Sequence, residues 1–346
     1  MIFGMPLFQL LVLAYAATFE MKNVRTFIVD MDRSVASREL TGKFKGSSFY
    51  TIKGVTFNYE EAERSLKAGE SDIIVEIPSG FESGLQKVKK ATIGLVADAI
   101  NSTTANLAYT YTSAIIKDYN LDIVIKIVGK PVKPPIGITY SYWFNPELNY
   151  QTYMVPGILV LLVTLIGIFL AGINVVREKE IGTIEQINVT PIKKYQFIAG
   201  KLIPFWIIAM FELAFGLVIA KLVFHIPVVG SIWLVFGVAG VFMMATLGLG
   251  LIISTTSDTM QQSMFVTWFF LVVFILMSGL FTSVESMPRW AQMINVINPI
   301  AYFIKIIRMI MLKGSAFRDI CNPFMALVIY GIAALSIAVW RYRKVA

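Results

Sequence analysis

The chain has 346 residues, 56% of them hydrophobic and 15% charged, with 30 Lys and Arg against 22 Asp and Glu and a formal net charge of +8. That is too apolar for an ordinary soluble domain, and the apolar residues gather into runs long enough to cross about 30 Å of hydrocarbon, so the chain reads as a polytopic membrane protein. The positive excess is spread over loops and span ends instead of forming a basic, aromatic-interleaved stripe, which argues against nucleic acid as a partner and for membrane lipid.

Residues 1–19 form the first apolar run, with Pro6 inside it. A signal peptide begins with a basic region, and no Lys or Arg precedes Lys22, so an uncleaved first span is expected. It is barely long enough to cross: either neighbouring helices complete it or the natural chain begins further upstream.

From residue 20 to about 145 the character is that of a water-soluble domain. Residues 24–29 read as a buried strand, 34–44 as a helix with a serine start, and 49–53 as a second strand. Residues 58–68 then read as helix, 72–77 as strand, 81–89 as helix and 92–97 as strand. This alternation predicts a small α/β domain with a mostly parallel sheet. Asn101 is placed to cap a long helix running to about Lys126, and Pro131, Pro134 and Pro135 stiffen the return to the membrane. Asp30, Asp32 and Asp98 fall near predicted strand ends, where carboxylates could bind metal or exchange protons, but turn and cap roles are commoner for Asp there.

Five more apolar runs follow, near residues 153–176, 197–222, 232–253, 264–281 and 324–340. With the first they predict six spans, both termini on one side and the α/β domain on the other. Arg177, Lys179, Lys193, Lys194, Lys201, Arg341, Arg343 and Lys344 outnumber Lys221, Arg289, Lys305, Arg308, Lys313 and Arg318 on the opposite side, which places the termini in the cytoplasm. Trp143, Trp233, Trp290 and Trp340 lie near span ends, as interfacial anchors do. Residues 300–313 carry Lys305, Arg308 and Lys313 on one arc, and Phe303, Ile304, Ile307 and Met311 largely elsewhere. This pattern predicts an amphipathic helix dipping into the outer interface.

The most polar connection in this half is residues 177–191. Ile173, Val176, Ile181, Ile184 and Ile187 share one arc at 100° per residue, so the span leaving the membrane at Asn174 is expected to continue as an amphipathic rod. Glu178 and Glu185 lie on the opposite face with Gly182 beside them, and Pro191 ends the rod. Such an elbow either transmits force as a lever or merely solvates a turn. Glu212, an acid well inside a span, is a transport-pathway candidate that would meet a cationic substrate or a proton; a packing role between helices is the competing reading.

No G-x-x-x-x-G-K-[ST] sequence occurs, so the chain has no P-loop for ATP; residues 42–48 and Gly200-Lys201-Leu202 are the nearest approaches. There is no nucleophile motif or H-E-x-x-H helix, and the lone Cys321 and lone His225 leave no internal disulfide and no zinc cluster. Energy for transport must then come from a partner or an ion gradient.

Four segments together resemble the permease subunits of ABC type-2 transporters, in the bacterial multidrug-efflux-like branch. They are Val29-Asp30-Met31-Asp32-Arg33-Ser34; Phe144-Asn145-Pro146 with Val155-Pro156-Gly157; the elbow; and Asn298-Pro299 with Tyr302, then Arg308 to Gly314. The resemblance implies an α-helical polytopic membrane protein of six transmembrane helices, with an extracytoplasmic α/β domain between the first and second. It implies an exporter of lipophilic or amphipathic, drug-like or lipid-like substrates in a bacterial inner membrane. The permease pairs with a second one as a homo- or heterodimer and docks ATP-binding-cassette ATPase subunits, which hold the ATP and Mg; the chain itself holds no cofactor. A periplasmic adaptor becomes a candidate partner of the α/β domain. The coupling helix maps to about residues 174–191, through Arg177, Glu178, Glu180, Gly182, Thr183, Glu185, Thr190 and Pro191. A re-entrant outer hairpin maps to about 285–314, through Asn298, Pro299, Tyr302, Arg308 and Gly314. The basic elbow helix that usually precedes the first span in this family is not seen here. Two other classes stay open from the residues alone: an ion-coupled secondary transporter centred on Glu212, and a membrane-anchored extracytoplasmic binding protein.

Overall fold

The structure, a computed structural model, describes residues 4–16, 23–100, 102–129, 143–147, 149–183 and 191–341. They fall into two compact units, one drawn from residues 1–18 and 140–346 and the other from residues 19–139.

In the second unit, β1 (Val24–Asp30), α2 (Val35–Lys45), β2 (Tyr50–Thr56), α3 (Tyr59–Lys67), β3 (Ile73–Ile77), α4 (Phe81–Ser83, continued by a π turn), β4 (Gly94–Ala97) and α5 (Ser102–Val128) follow one another; α1 (Gly4–Ala16) belongs to the first unit. The sheet order is β2-β1-β3-β4. β1 pairs in parallel with both β2 and β3, while β4 runs antiparallel to β3, so the expected mostly parallel sheet carries one reversed edge. The two-residue alternation of β1 sorts its side chains: Val24 and Ile28 pack with Leu40, Phe44 and Tyr119 of α2 and α5, and Phe27 and Val29 pack with Ala62 of α3. Ser34 and Asn58 cap α2 and α3, accepting from the backbone N–H of Ser37 and Glu60. Lys43 of α2 pairs with Asp118 and Asp122 of α5, each at 2.5 Å. Asn101 and residues 131–135 lie outside the described residues.

The first unit contains α1, α6 (Tyr150–Ile181), α7 (Lys194–Leu222), α8 (Ile232–Thr256), α9 (Met260–Met277), α10 (Arg289–Asn295), α11 (Pro299–Lys313) and α12 (Phe317–Arg341). α6, α7, α8, α9 and α12 are each long and apolar enough to span a bilayer. The 13 described residues of α1 rise only about 20 Å, less than the hydrocarbon thickness. α6 is the hub, packed against α1, α7, α8, α9 and α11. Its crossing with α8 is unusually close because both helices offer glycine. A Cβ on Gly250 would stand 2.6 Å from the Ile168 carbonyl oxygen and 2.8 Å from the Ala171 Cβ. Side chains reinforce the packing on both sides: Ser254 Oγ of α8 accepts from the Val176 N–H (2.8 Å), and Ser263 Oγ of α9 donates to the Gly172 carbonyl (2.6 Å).

α10 and α11 meet at a bend of 86°. Asn298 makes the corner. Its Oδ1 accepts from the Ile300 N–H as the cap of α11, and its Nδ2 donates to the Phe274 carbonyl of α9 and to Asn295 Oδ1. Pro299 takes the first turn, where no donor is needed, and Gly314 ends the helix at φ +69°.

Candidate functional site

The polar end of α6 departs from the continuous rod expected over residues 174–191. α6 stops at Ile181, and Gly182 caps it at φ +85°, a left-handed conformation that glycine adopts without steric cost. The arc of isoleucines overlooked this terminator because a hydrophobic pattern registers side chains and not backbone sign. Val176 is buried and Ile173 half-buried, but Ile181 stands 63% exposed on the last turn. Ile184, Glu185, Ile187 and Thr190 lie outside the described residues, and Pro191 is exposed at the start of the next described segment.

The charged residues ahead of Gly182 are engaged within the chain. Glu178 accepts from Lys201 Nζ of α7 (2.5 Å) and from the Thr183 hydroxyl, fastening the end of α6 to α7. Lys179 pairs with Asp258 (2.5 Å), and Glu180 accepts the Met260 backbone N–H (3.0 Å), the first residue of α9. Arg177 is exposed. One helix end is thus tied to α7 on one side and to the α8–α9 turn on the other. Asp258 and Met260 escaped sequence reasoning: their partners lie about 80 residues away and no local motif marks them.

Glu212 sits in α7 at 5% exposure with both carboxylate oxygens buried and, among the described residues, no hydrogen-bond partner. Nothing in the sequence beyond its position within a span signals this.

At the opposite end of the unit, Arg308 is not on a wetted face with Lys305 and Lys313 as its helical arc suggested. Its guanidinium donates to the carbonyls of Tyr153 (3.1 Å), Gly279 (2.9 Å) and Leu280 (3.4 Å) and lies 3.7 Å from the Tyr153 ring centroid. Backbone carbonyls left free where α9 ends draw the cation inward, and the tyrosine face replaces part of its hydration. The Tyr302 hydroxyl donates to the Val296 carbonyl (3.0 Å), bracing the hairpin corner.

The strand-end acids of the α/β unit are structural. Asp30 accepts from the N–H groups of Asp32 and Arg33 and from the Ser37 hydroxyl. Asp32 caps the turn at Gly80, Phe81 and Glu82, and Asp98 accepts from Ile100 N–H. Burial raises the Asp32 carboxyl, but the Ser34 hydroxyl and the three backbone donors outweigh it and leave it below its ordinary value. Among the described residues no three His, Cys, Asp or Glu side chains group as metal ligands.

A family model described as "ABC-2 family transporter protein" matches residues 1–340. The chain is similar to the probable multidrug ABC transporter permease YbhR of Escherichia coli K12, 30% identical over 338 residues that cover 98% of this chain and 91% of the relative. It is also similar to the probable multidrug ABC transporter permease YbhS of the same organism (27% over 312 residues, 90% and 82%). The inner membrane transport permease YhhJ, also of Escherichia coli K12, is 26% identical over 320 residues (92% and 84%).

Proposed function

Because the chain belongs to the ABC-2 family of transporter proteins, we propose that it is the permease of an ATP-driven exporter, one of two membrane halves served by separate ATPase subunits. It would sit in a bacterial inner membrane with its termini in the cytoplasm and the α/β unit outside, where an adaptor protein is a candidate partner. Its substrate would be lipophilic or amphipathic, a class that accords with the multidrug permeases it is similar to. The chain carries no P-loop sequence of its own, so the ATP and Mg would be held by the partner.

The observation that carries this reading is the double fastening of the α6 end. A push delivered there reaches α7 through Glu178 and Lys201, and reaches the α8–α9 turn through Lys179 and Glu180. The exposed Ile181 beside these ties supplies an apolar contact for a docked subunit. In this account Glu180 orients the elbow from within, and Glu185 would contact the ATPase. Glu212, a buried acceptor without a donor among the described residues, would reward a donor-bearing substrate on the way through.

Co-purification from detergent-solubilised membranes tests the assignment. A P-loop ATPase should accompany the wild-type chain, and Glu185→Lys should cut its recovery about tenfold, roughly 1.4 kcal/mol of binding, while the permease stays folded. Equal recovery with the reversed charge would remove the elbow as the docking element.

A further inference from the structure

Where α6 begins and α9 ends, the hairpin encloses a cavity of about 700 Å³, large enough for a drug-sized or lipid-sized group. Much of its lining is apolar or aromatic, including Phe144, Tyr153, Val296 and Ile304.

Its charged side chains are mostly cationic. Asn295 is 4% exposed, and its Oδ1 accepts from Asn298 Nδ2, which fixes the amide; its own Nδ2 is buried with no acceptor among the described residues. Lys305 and Lys313 also line the cavity, and among the described residues neither has an ion-pair partner; Lys313 Nζ lies 5.9 Å from the Phe144 ring centroid. Arg308 lines it too, with its guanidinium already committed to three carbonyls. Among the described residues Glu285 is the one carboxylate in the lining.

A metal cation finds no acceptor cluster in such a set, and a small inorganic ion would leave most of the apolar wall wet. Cationic donors beside an apolar chamber suit a molecule with an anionic head and a hydrocarbon body. We propose that this cavity binds an amphiphile with an anionic phosphate head, held by Lys305 and Lys313, with its chain along the apolar wall. The site stands apart from the export reading, since it depends on neither an ATPase nor a direction of transport.

Two sources supply that chemistry: a phospholipid of the surrounding bilayer, or a free single-chain amphiphile. The purified full-length chain in a neutral maltoside detergent is titrated with dihexanoyl-phosphatidylglycerol, dihexanoyl-phosphatidylcholine, decyl phosphate and inorganic phosphate, and the melting temperature is followed. Phosphatidylglycerol or decyl phosphate should raise it at concentrations where phosphatidylcholine and inorganic phosphate do not; the tighter of the two identifies the source. Lys305→Gln with Lys313→Gln should weaken that binding about 30-fold, about fivefold for each lysine near a charged headgroup. Both side chains are exposed, so the unliganded melting temperature should hold. Equal stabilisation by phosphatidylcholine, a full response to inorganic phosphate alone, or wild-type affinity in the double lysine variant would overturn the proposal.

Discussion

Asp72 illustrates how a single carboxylate holds the α/β unit together and how its contribution depends on pH. Its oxygens accept from the Arg25 backbone N–H (2.8 Å), from Arg25 Nε (3.1 Å) and from Arg25 Nη2 (2.6 Å), joining β1 to the entry of β3. Burial pushes the carboxyl up, but Arg25's hydrogen bonds and charge more than offset this and leave it below its ordinary value. A carboxylate depressed by folding contributes stability that is fully present above its unfolded value of about 3.9, and loses it as pH falls through the folded value. Arg25 is 42% exposed, so the pair is discounted for screening: Asp72→Asn should cost about 1–2 kcal/mol at neutral pH and flatten the acid limb of stability. Acid unfolding of the α/β unit followed by limited proteolysis measures this; an unchanged acid midpoint would contradict it. At this scale the sequence was a partial guide. Cap roles for Asp30, Asp32 and Asp98 follow from residue type and strand-end position, which are local. The partners of Glu178, Lys179 and Glu180 do not, because ties across 23 to 80 residues leave no periodic trace.

Elements were the most legible level. Short strands, a serine-capped helix and five long apolar runs each announce themselves through composition and period, and α7 and α8 begin or end within three residues of the expected limits. What escaped was backbone sign and direction: Gly182 halts α6 where apolar spacing continued it, and β4 reverses at the edge of a sheet whose other pairs are parallel. The corner between α10 and α11 is built from turn chemistry that the sequence displays, an asparagine cap followed by proline. That corner also bears a buried tertiary bond to Phe274. Asn298→Ala removes both the cap and the bond and should destabilise the chain by about 2–3 kcal/mol. Asn298→Asp keeps the cap oxygen and should fall between the two. Thermal melts in detergent order the three proteins; a melting temperature unmoved by alanine would remove Asn298 as the corner's support.

For the whole molecule, the source of energy is what separates the functional classes. If an ATPase drives this permease, vesicles containing both should export only with ATP, and Glu212→Gln should reduce transport about tenfold while leaving the ATPase bound. Transport that runs on an ion gradient without ATP would instead favour the ion-coupled class. Burial is uneven across the membrane unit: 72% of the apolar stretch of α6 is enclosed, against 22% for α9 and α12, whose outer faces are open within this chain. The Arg308 clamp gives the enclosed helix a fixed point. It grips α6 at Tyr153 and binds it to the end of α9, while at the far end of α6 Glu178 and Lys179 make ion pairs with Lys201 and Asp258. From Tyr153 to Ile181 the helix rises about 42 Å, so each ten degrees of tilt about that pivot sweeps Ile181 through an arc of about 7 Å. Were α6 to tilt as a rigid rod, small rotations at the clamp would correspond to large strokes at the far tip, and a long stroke there would become a small, forceful turn beside the cavity.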